Sequence, residues 1–93
     1  MDMQTDKRKA ETASLALLGS HRYVVGAKQI RKALTSGAAS FVYLAKNADP
    51  AITEPLIALC QHKCVDFAWV KSMTDLGQAC GIEVGAAAAA IVA

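Results

Sequence analysis

The chain has 93 residues, of which 54% are apolar and 19% are charged, and its formal net charge is +2. This length suits one domain with a single buried core, and the apolar content excludes a mainly disordered chain. The low net charge excludes a polycation, so attraction to an anionic partner would have to come from a local cluster of cations.

Neither end of the chain has the pattern of a membrane segment or of a secretion signal. The longest run without charge is Val84–Ala93, about half of the ~20 residues that a membrane-spanning helix needs. The apolar patch Leu15–Leu18 is short and follows Glu11 and Thr12, which is unlike a signal peptide. We therefore expect residues 1–93 to form a single cytoplasmic domain without membrane contact, and residues 1–5 to be disordered.

Hydrophobic periodicity and capping residues predict helices that alternate with strands along the chain. In chain order the predicted elements are a helix over Lys7–Leu18, a strand over Arg22–Val25, a helix over about Lys28–Ser36, a strand over Phe41–Ala45, a helix containing Leu56, Leu59 and Cys60, a strand over Val65–Val70, a helix from Ser72 through Cys80, and a strand in the alanine-rich tail. This alternation implies a sheet covered by helices on both faces. The predicted fold class is therefore α/β, a three-layer α/β/α sandwich with four strands.

Two of these elements are ambiguous. The third helix has two start signals, Asp49–Pro50 and Thr53–Glu54–Pro55, and Pro55 would distort the first turn because it has no N–H to donate. The tail after Gly85 is rich in alanine, which favours a helix, but it is short and apolar on every side. A strand covered on both faces has the same pattern, and we expect a strand.

The predicted helix after Gly26 begins with a concentration of positive charge. Lys28, Arg31 and Lys32 lie in its first turns. The helix dipole is already positive there, and each exposed cation costs roughly 0.3–1 kcal/mol. A docked polyanion would relieve this repulsion, free N–H groups at the helix start attract phosphate, and the amide of Gln29 could pair with a base edge. The alternative is a solvated basic face without a ligand.

The segment Gly81–Gly85 places Ile82 and Val84 in a glycine-bounded loop after a helix. Exposed apolar side chains are disfavoured in such a loop unless something covers them. Both side chains could point into the core, or they could offer an apolar surface to an unstacked RNA base. In the second case Glu83 would repel phosphate but could accept a hydrogen bond from a base amino group.

The sequence contains no pattern that indicates catalysis, a cofactor or a metal ion. The three cysteines, Cys60, Cys64 and Cys80, are expected to be reduced packing residues. Cys60 and Cys64 would share a helix face while His62 points elsewhere, and a tetrahedral zinc site needs four ligands. The sequence also lacks a Walker loop and a dinucleotide-binding fingerprint. We therefore do not expect an enzyme.

Three segments carry a family resemblance: GAKQIRKALTSG, VYLAKNADP and VKSMTDLGQACGIEVGAAAAAIV. They resemble the ribosomal protein L-seven-Ae (L7Ae) family of kink-turn RNA-binding proteins, in particular its small bacterial members, from about Leu17 to Val92. The resemblance implies a mixed sheet of four strands within the three-layer fold and no enzymatic activity. It also implies binding to a sharply bent RNA internal loop that contains tandem sheared G·A pairs.

The resemblance assigns roles to particular residues. The family's Gly-x-Asn-Glu-x-x-Lys segment corresponds to Gly26, Lys28, Gln29 and Lys32, and its apolar recognition loop, which covers flipped-out nucleotides, corresponds to Ile82, Glu83, Val84 and Gly85. Lys28 and Gln29 replace the archaeal Asn–Glu pair that hydrogen-bonds the guanines, as they do in bacterial relatives. We therefore expect weaker discrimination of the G·A pairs and greater reliance on phosphate contacts.

The sequence thus predicts an RNA-binding protein that recognises kink turns in ribosomal or other structured RNA. The predicted RNA contacts are Gly26, Lys28, Gln29, Arg31, Lys32, Ile82, Glu83, Val84 and Gly85. We expect a monomeric ribonucleoprotein component, on the ribosome or on another structured RNA, without a cofactor or metal. Two alternatives stay open: a protein-interaction module of the same fold without specific RNA binding, and a thiol or metal protein built on Cys60 and Cys64.

Overall fold

The structure is a computed structural model that describes residues 22–92. The predicted helix over Lys7–Leu18 and the expected disorder of residues 1–5 lie outside the described residues. Within residues 22–92, strands and helices alternate as predicted, and their bounds differ from the prediction by one or two residues. The strands are β1 (Tyr23–Val25), β2 (Ala39–Ala45), β3 (Asp66–Val70) and β4 (Ala88–Val92), and the helices are α1 (Ala27–Ser36), α2 (Pro50–His62) and α3 (Met73–Ala79).

The four strands form one mixed sheet in the order β1-β4-β2-β3. β2 and β3 are parallel, whereas β4 is antiparallel to both of its neighbours, with Ala88 opposite Leu44 and Ala89 opposite Val25. The alanine-rich tail is therefore a strand in the interior of the sheet. This confirms the prediction and explains the pattern, because a strand with neighbours on both edges and helices on both faces has no side that meets water.

Two core clusters cover the two faces of the sheet and make three layers. On one face α1 and α2 pack through Ile30, Leu34, Leu56 and Cys60 against sheet residues that include Val42. On the other face Leu76 of α3 and Cys80, which directly follows α3, pack against Tyr43, Val70 and Ile91. The tail strand contributes to both clusters, because its alternate residues point to opposite faces. The predicted three-layer α/β/α sandwich is confirmed.

Local signals set most helix ends. Gly37 adopts the left-handed conformation after α1, with φ 79° and ψ 11°, where glycine carries no steric cost. The Ser72 hydroxyl accepts a hydrogen bond from the Asp75 N–H at 3.1 Å and caps α3. The first of the two start signals is the one that α2 uses, since the Asp49 carboxylate accepts from the Ala51 N–H at 2.9 Å.

The second start signal lies inside the helix. Thr53 is a buried residue of α2 and not its cap, and Pro55 lies within the helix beyond its first turn. None of the helices within residues 22–92 combines the length and hydropathy needed to cross a membrane.

Candidate nucleic-acid interface

One end of the sheet brings the predicted site residues together. The Gly26 N–H donates to the Ala88 carbonyl at 3.2 Å, and the Ala45 N–H donates to the Ala87 carbonyl at 2.9 Å. The start of α1, the end of β2 and the residues that lead into β4 therefore meet at this end. Since β3 is parallel to β2, its last residue also lies here. We call this the loop end of the sheet, and we define it by Gly26, Ala45, Val70 and Ala87.

Helix α1 begins at the loop end without a side-chain cap. Gly26 has φ 99° and ψ 142°, and the helix begins at the next residue, Ala27. No acidic residue lies in the first turn. The first intrahelical bond runs from the Ile30 N–H to the Gly26 carbonyl at 3.0 Å. The N–H groups of residues 27–29 precede it and have no partner within the helix. A side chain at position 26 would be strained by the positive φ, which explains the glycine.

The basic side chains of α1 share its solvent-facing side. Ile30, Ala33 and Leu34 are buried against the sheet. The four side chains predicted to contact RNA from this helix are all exposed, namely Lys28, Gln29, Arg31 and Lys32. α1 contains no acidic residue, so the positive charge is not neutralised within the helix. The helix dipole adds positive potential at the same place, and the combination attracts an anion.

The two apolar residues of the loop after α3 differ in whether they face the core or solvent. Val84 is 71% exposed, whereas Ile82 is half-buried and packs against the core cluster on the α3 side of the sheet. Glu83 and Gly85 are exposed. The loop therefore offers one exposed apolar side chain, that of Val84, while Ile82 is partly buried against the core cluster.

Backbone contacts with α3 hold this loop in place. The Ile82 N–H donates to the Gly77 carbonyl, and the Ala86 N–H donates to the Met73 carbonyl, each at 3.0 Å. A Cβ on Gly85 would lie 3.0 Å from the Met73 Cβ, so this glycine permits a close approach to the helix. The loop lies directly on α3 at both of its ends.

Two side-chain hydrogen bonds connect the two ends of α3 to the sheet and its loops. The Tyr23 hydroxyl, on the strand that leads to Gly26, donates to the carbonyl of Cys80 at the end of α3. The side-chain oxygen of Asn47, after β2, accepts from the Met73 N–H at the start of α3 at 2.8 Å. The basic helix and the apolar loop are thus anchored to one framework.

The three cysteines differ in burial and in position. Burial raises the pKa of the Cys60 thiol to about 11 and also raises the pKa of the Cys80 thiol. Cys64 is exposed and has φ 57°, past the end of α2 at His62. The expectation that Cys60 and Cys64 share a helix face is wrong, because the chain leaves the helix before Cys64. Within residues 22–92 no group of three His, Cys, Asp or Glu side chains is arranged to hold a metal ion.

The loop end also contains residues that the sequence did not assign to the site. Lys46 and Asn47 follow β2, and Lys71 follows β3. Both lysines are exposed. A signal for them was present in the sequence, because residues that directly follow parallel strands meet at the same edge of a sheet.

Comparisons with known proteins agree with this architecture. Residues 8–93 match the family model described as the ribosomal protein L7Ae/L30e/S12e/Gadd45 family. The chain is 51% identical over 69 residues to a protein of Bacillus pumilus named RNA-binding protein. The matched segment covers 74% of this chain and 84% of that protein. It is 42% identical over 76 residues to RNA-binding protein YbxF of Geobacillus stearothermophilus, covering 82% of this chain and 93% of that protein.

A solved structure has the same fold. The 15.5kD RNA binding protein of Giardia lamblia superposes with a TM-score of 0.75 at 26% identity, covering 100% of this chain and 77% of that chain. The family model spans nearly the whole sequence, and both curated relatives exceed 40% identity over most of their length. The chain therefore belongs to the ribosomal protein L7Ae/L30e/S12e/Gadd45 family.

Proposed function

We propose that this protein binds RNA and that its preferred target is a kink turn, a sharply bent internal loop. The observation that carries the proposal is the meeting, at one end of the sheet, of an uncapped basic helix start and a loop with an exposed valine. The first feature suits a phosphate backbone and the second suits an unstacked base. The names of the relatives support RNA as the partner.

The exposed face of α1 would take the backbone and the guanine edges of the bent loop. Arg31 and Lys32 contact phosphates, and Lys28 donates to a guanine O6 or N7. The Gln29 amide can donate and accept against a base edge, but without the charge of a carboxylate. Gly26 lets the RNA approach the backbone of the helix start. Specificity at the G·A pairs is accordingly modest, and phosphate contacts supply much of the affinity.

The apolar loop would cover a nucleotide that has left the stack. The exposed side chain of Val84 packs on the base, and the partly buried Ile82 attaches the loop to the core cluster. Glu83 accepts from a base amino group at the rim, and Gly85 keeps the loop backbone close to α3. An unstacked base occurs at the bend of a kink turn and not within a straight duplex, so this contact favours the bent RNA.

The biological setting follows from the same proposal. We place the protein in the cytoplasm as a monomeric, non-enzymatic component of a ribonucleoprotein, on the ribosome or on another structured RNA. Residues 1–93 would act as one RNA-binding domain.

The affinities for a kink-turn duplex and for a straight duplex of the same length, measured at several salt concentrations, test the proposal. We expect tighter binding to the kink turn. With three or four phosphate contacts, the logarithm of the affinity should fall with the logarithm of the salt concentration at a slope of roughly −2 to −4. Equal affinity for both duplexes would refute kink-turn recognition while leaving general RNA binding in place.

A further inference from the structure

Two lysines lie side by side at the loop end of the sheet. β2 and β3 are parallel with Ala45 opposite Val70, and the Lys46 N–H donates to the Val70 carbonyl at 2.8 Å. The residues that follow, Lys46 and Lys71, therefore occupy neighbouring positions. Their backbones are separated by about one strand spacing, ~4.8 Å. Both side chains are exposed.

Packing does not account for this pair. Neither lysine belongs to a core cluster, and like charges on neighbouring strands repel each other. The acidic residue that follows Lys46 most closely, Asp49, uses its carboxylate to cap α2. Asp75, the nearest acidic residue after Lys71, lies in the first turn of α3. Both lysines are exposed at the end of the sheet that holds the proposed RNA site.

The lysine pair is also distinct from the basic face of α1. At the loop end, β4 separates β1, which leads to Gly26, from β2 and β3. Lys46 is thus about two strand spacings from Gly26 and Lys71 about three, roughly 10 and 14 Å. The entry to β4, which comes directly from the Val84 loop, lies between the two groups of cations. A phosphate held by the start of α1 is therefore not the phosphate that this pair would bind.

We propose that Lys46 and Lys71 form a second phosphate-binding site, which contacts the RNA backbone on the other side of the β4 entry from α1. The inference rests on the proposed RNA-binding function and extends its footprint. An RNA held at two cationic sites with an apolar loop near the middle is held on both sides of its bend. This second site stabilises the bent form relative to a straight duplex that lies on α1 alone.

The double variant Lys46→Ala/Lys71→Ala tests the proposal, with Lys63→Ala as the matched control. Lys63 is also exposed but lies at the end of α2, before β3 begins, and therefore at the opposite end of the sheet. We expect the magnitude of the salt slope for kink-turn RNA to fall by about two units in the double variant, since each phosphate contact contributes about 0.9. The control should keep the wild-type slope. Thermal unfolding of both variants checks that the fold is retained.

Hydroxyl-radical footprinting of the bound kink-turn RNA then locates the contacts. The double variant should lose protection over a run of nucleotides different from the run lost in Lys32→Ala. If wild type prefers the kink turn but the double variant matches Lys63→Ala in slope and footprint, the second site is refuted and the proposed function stands. If wild type binds both duplexes equally, the kink-turn function and this inference fail together.

Discussion

The carbonyl oxygen of Val84 occupies the space that a side chain on Gly77 would need. A Cβ at position 77 would lie 2.2 Å from that oxygen and 3.1 Å from the Cα of Gly85. Gly77 is a buried residue of α3, so the loop backbone packs directly onto the helix. The backbone of Val84 faces inward at this contact, and its side chain is left in solvent.

The first prediction is that Gly77→Ala displaces the loop and weakens RNA selectivity. Overpacking costs roughly 1–3 kcal/mol, and the better helix propensity of alanine offsets about 1 kcal/mol of this. We expect the free energy of unfolding in urea to fall by on the order of 1 kcal/mol. The ratio of affinities for kink-turn and straight duplexes should fall as well. Gln78→Ala, an exposed change in the same helix, should alter neither quantity. If Gly77→Ala keeps the wild-type ratio of affinities, the contact between Gly77 and Val84 does not contribute to kink-turn recognition.

Local signals in the sequence were sufficient for most of the fold. Gly37 and Ser72 mark helix ends through backbone conformation and capping, and both effects act within a few residues. The tail strand could be predicted because an apolar run without a polar side needs cover on both faces. The basic face of α1 follows from helical periodicity alone, since Ile30, Ala33 and Leu34 define the opposite side.

The orientation of the two apolar side chains in the Gly81–Gly85 loop could not be predicted in the same way. Whether Ile82 or Val84 faces the core depends on the contacts of Gly77 and Met73 with the loop, and these are tertiary contacts. The sequence pattern of the loop is the same in either case. The sequence does not indicate the turn at Cys64, because no glycine, asparagine or proline marks it.

The side-by-side placement of Lys46 and Lys71 is another feature that could not be predicted from the sequence. Their proximity follows from the register between β2 and β3, in which Ala45 lies opposite Val70. The sequence indicates the two strands but not which residues are paired.

The second prediction concerns the contribution of Lys32 to phosphate binding. Lys32→Ala should reduce the magnitude of the salt slope by about one unit for kink-turn and straight RNA alike, because a phosphate contact carries no sequence information. The measurement is the affinity at four or more salt concentrations. Lys63→Ala, at the opposite end of the sheet, is the control. A smaller salt slope for kink-turn RNA alone would instead indicate that Lys32 takes part in base recognition.

The third prediction separates apolar contact from charge at the loop. Val84→Asp should weaken kink-turn binding more than straight-duplex binding, because a carboxylate can neither cover a base nor lie beside phosphate. Val84→Thr keeps the branched shape but replaces a methyl group with a hydroxyl, and it should give a smaller loss of the same kind. Glu83→Gln, which removes the neighbouring negative charge, should strengthen binding to both RNAs at low salt. Equal losses on the two RNAs in Val84→Asp would argue for simple charge repulsion.

The fourth prediction is that Cys64→Gly stabilises the protein. Cys64 has φ 57° after α2, and the Val65 N–H reaches back to the Cys60 carbonyl at 2.8 Å. This is the helix-terminating turn in which glycine is preferred, because a side chain costs roughly 1–2 kcal/mol in the left-handed conformation. Urea unfolding should show a gain of about 1 kcal/mol. Cys64→Ala keeps the steric cost and should show no comparable gain, so equal stabilities of the alanine and glycine variants would contradict the explanation.

The fifth prediction links the buried thiol of Cys60 to alkaline stability. Burial raises its pKa in the folded protein from 9.0 to about 11. Between these values the unfolded chain releases the proton and the folded chain retains it, so the unfolded state binds fewer protons and stability falls as pH rises. The loss should be absent below about pH 8 and reach about 1.4 kcal/mol by pH 10. Cys80 acts in the same direction.

Because lysines and tyrosines also titrate above pH 9, the quantity to measure is the difference in unfolding free energy between wild type and Cys60→Ala at each pH. The alanine variant is less stable at pH 7, since it leaves a cavity beneath α2. Its deficit should narrow by roughly 1 kcal/mol between pH 8 and pH 10, because the variant no longer has the thiol whose ionisation favours unfolding. Cys64→Ala removes an exposed thiol and controls for general alkaline unfolding. A deficit that stays constant across this range would mean that the Cys60 thiol ionises as readily in the folded protein as in the unfolded chain.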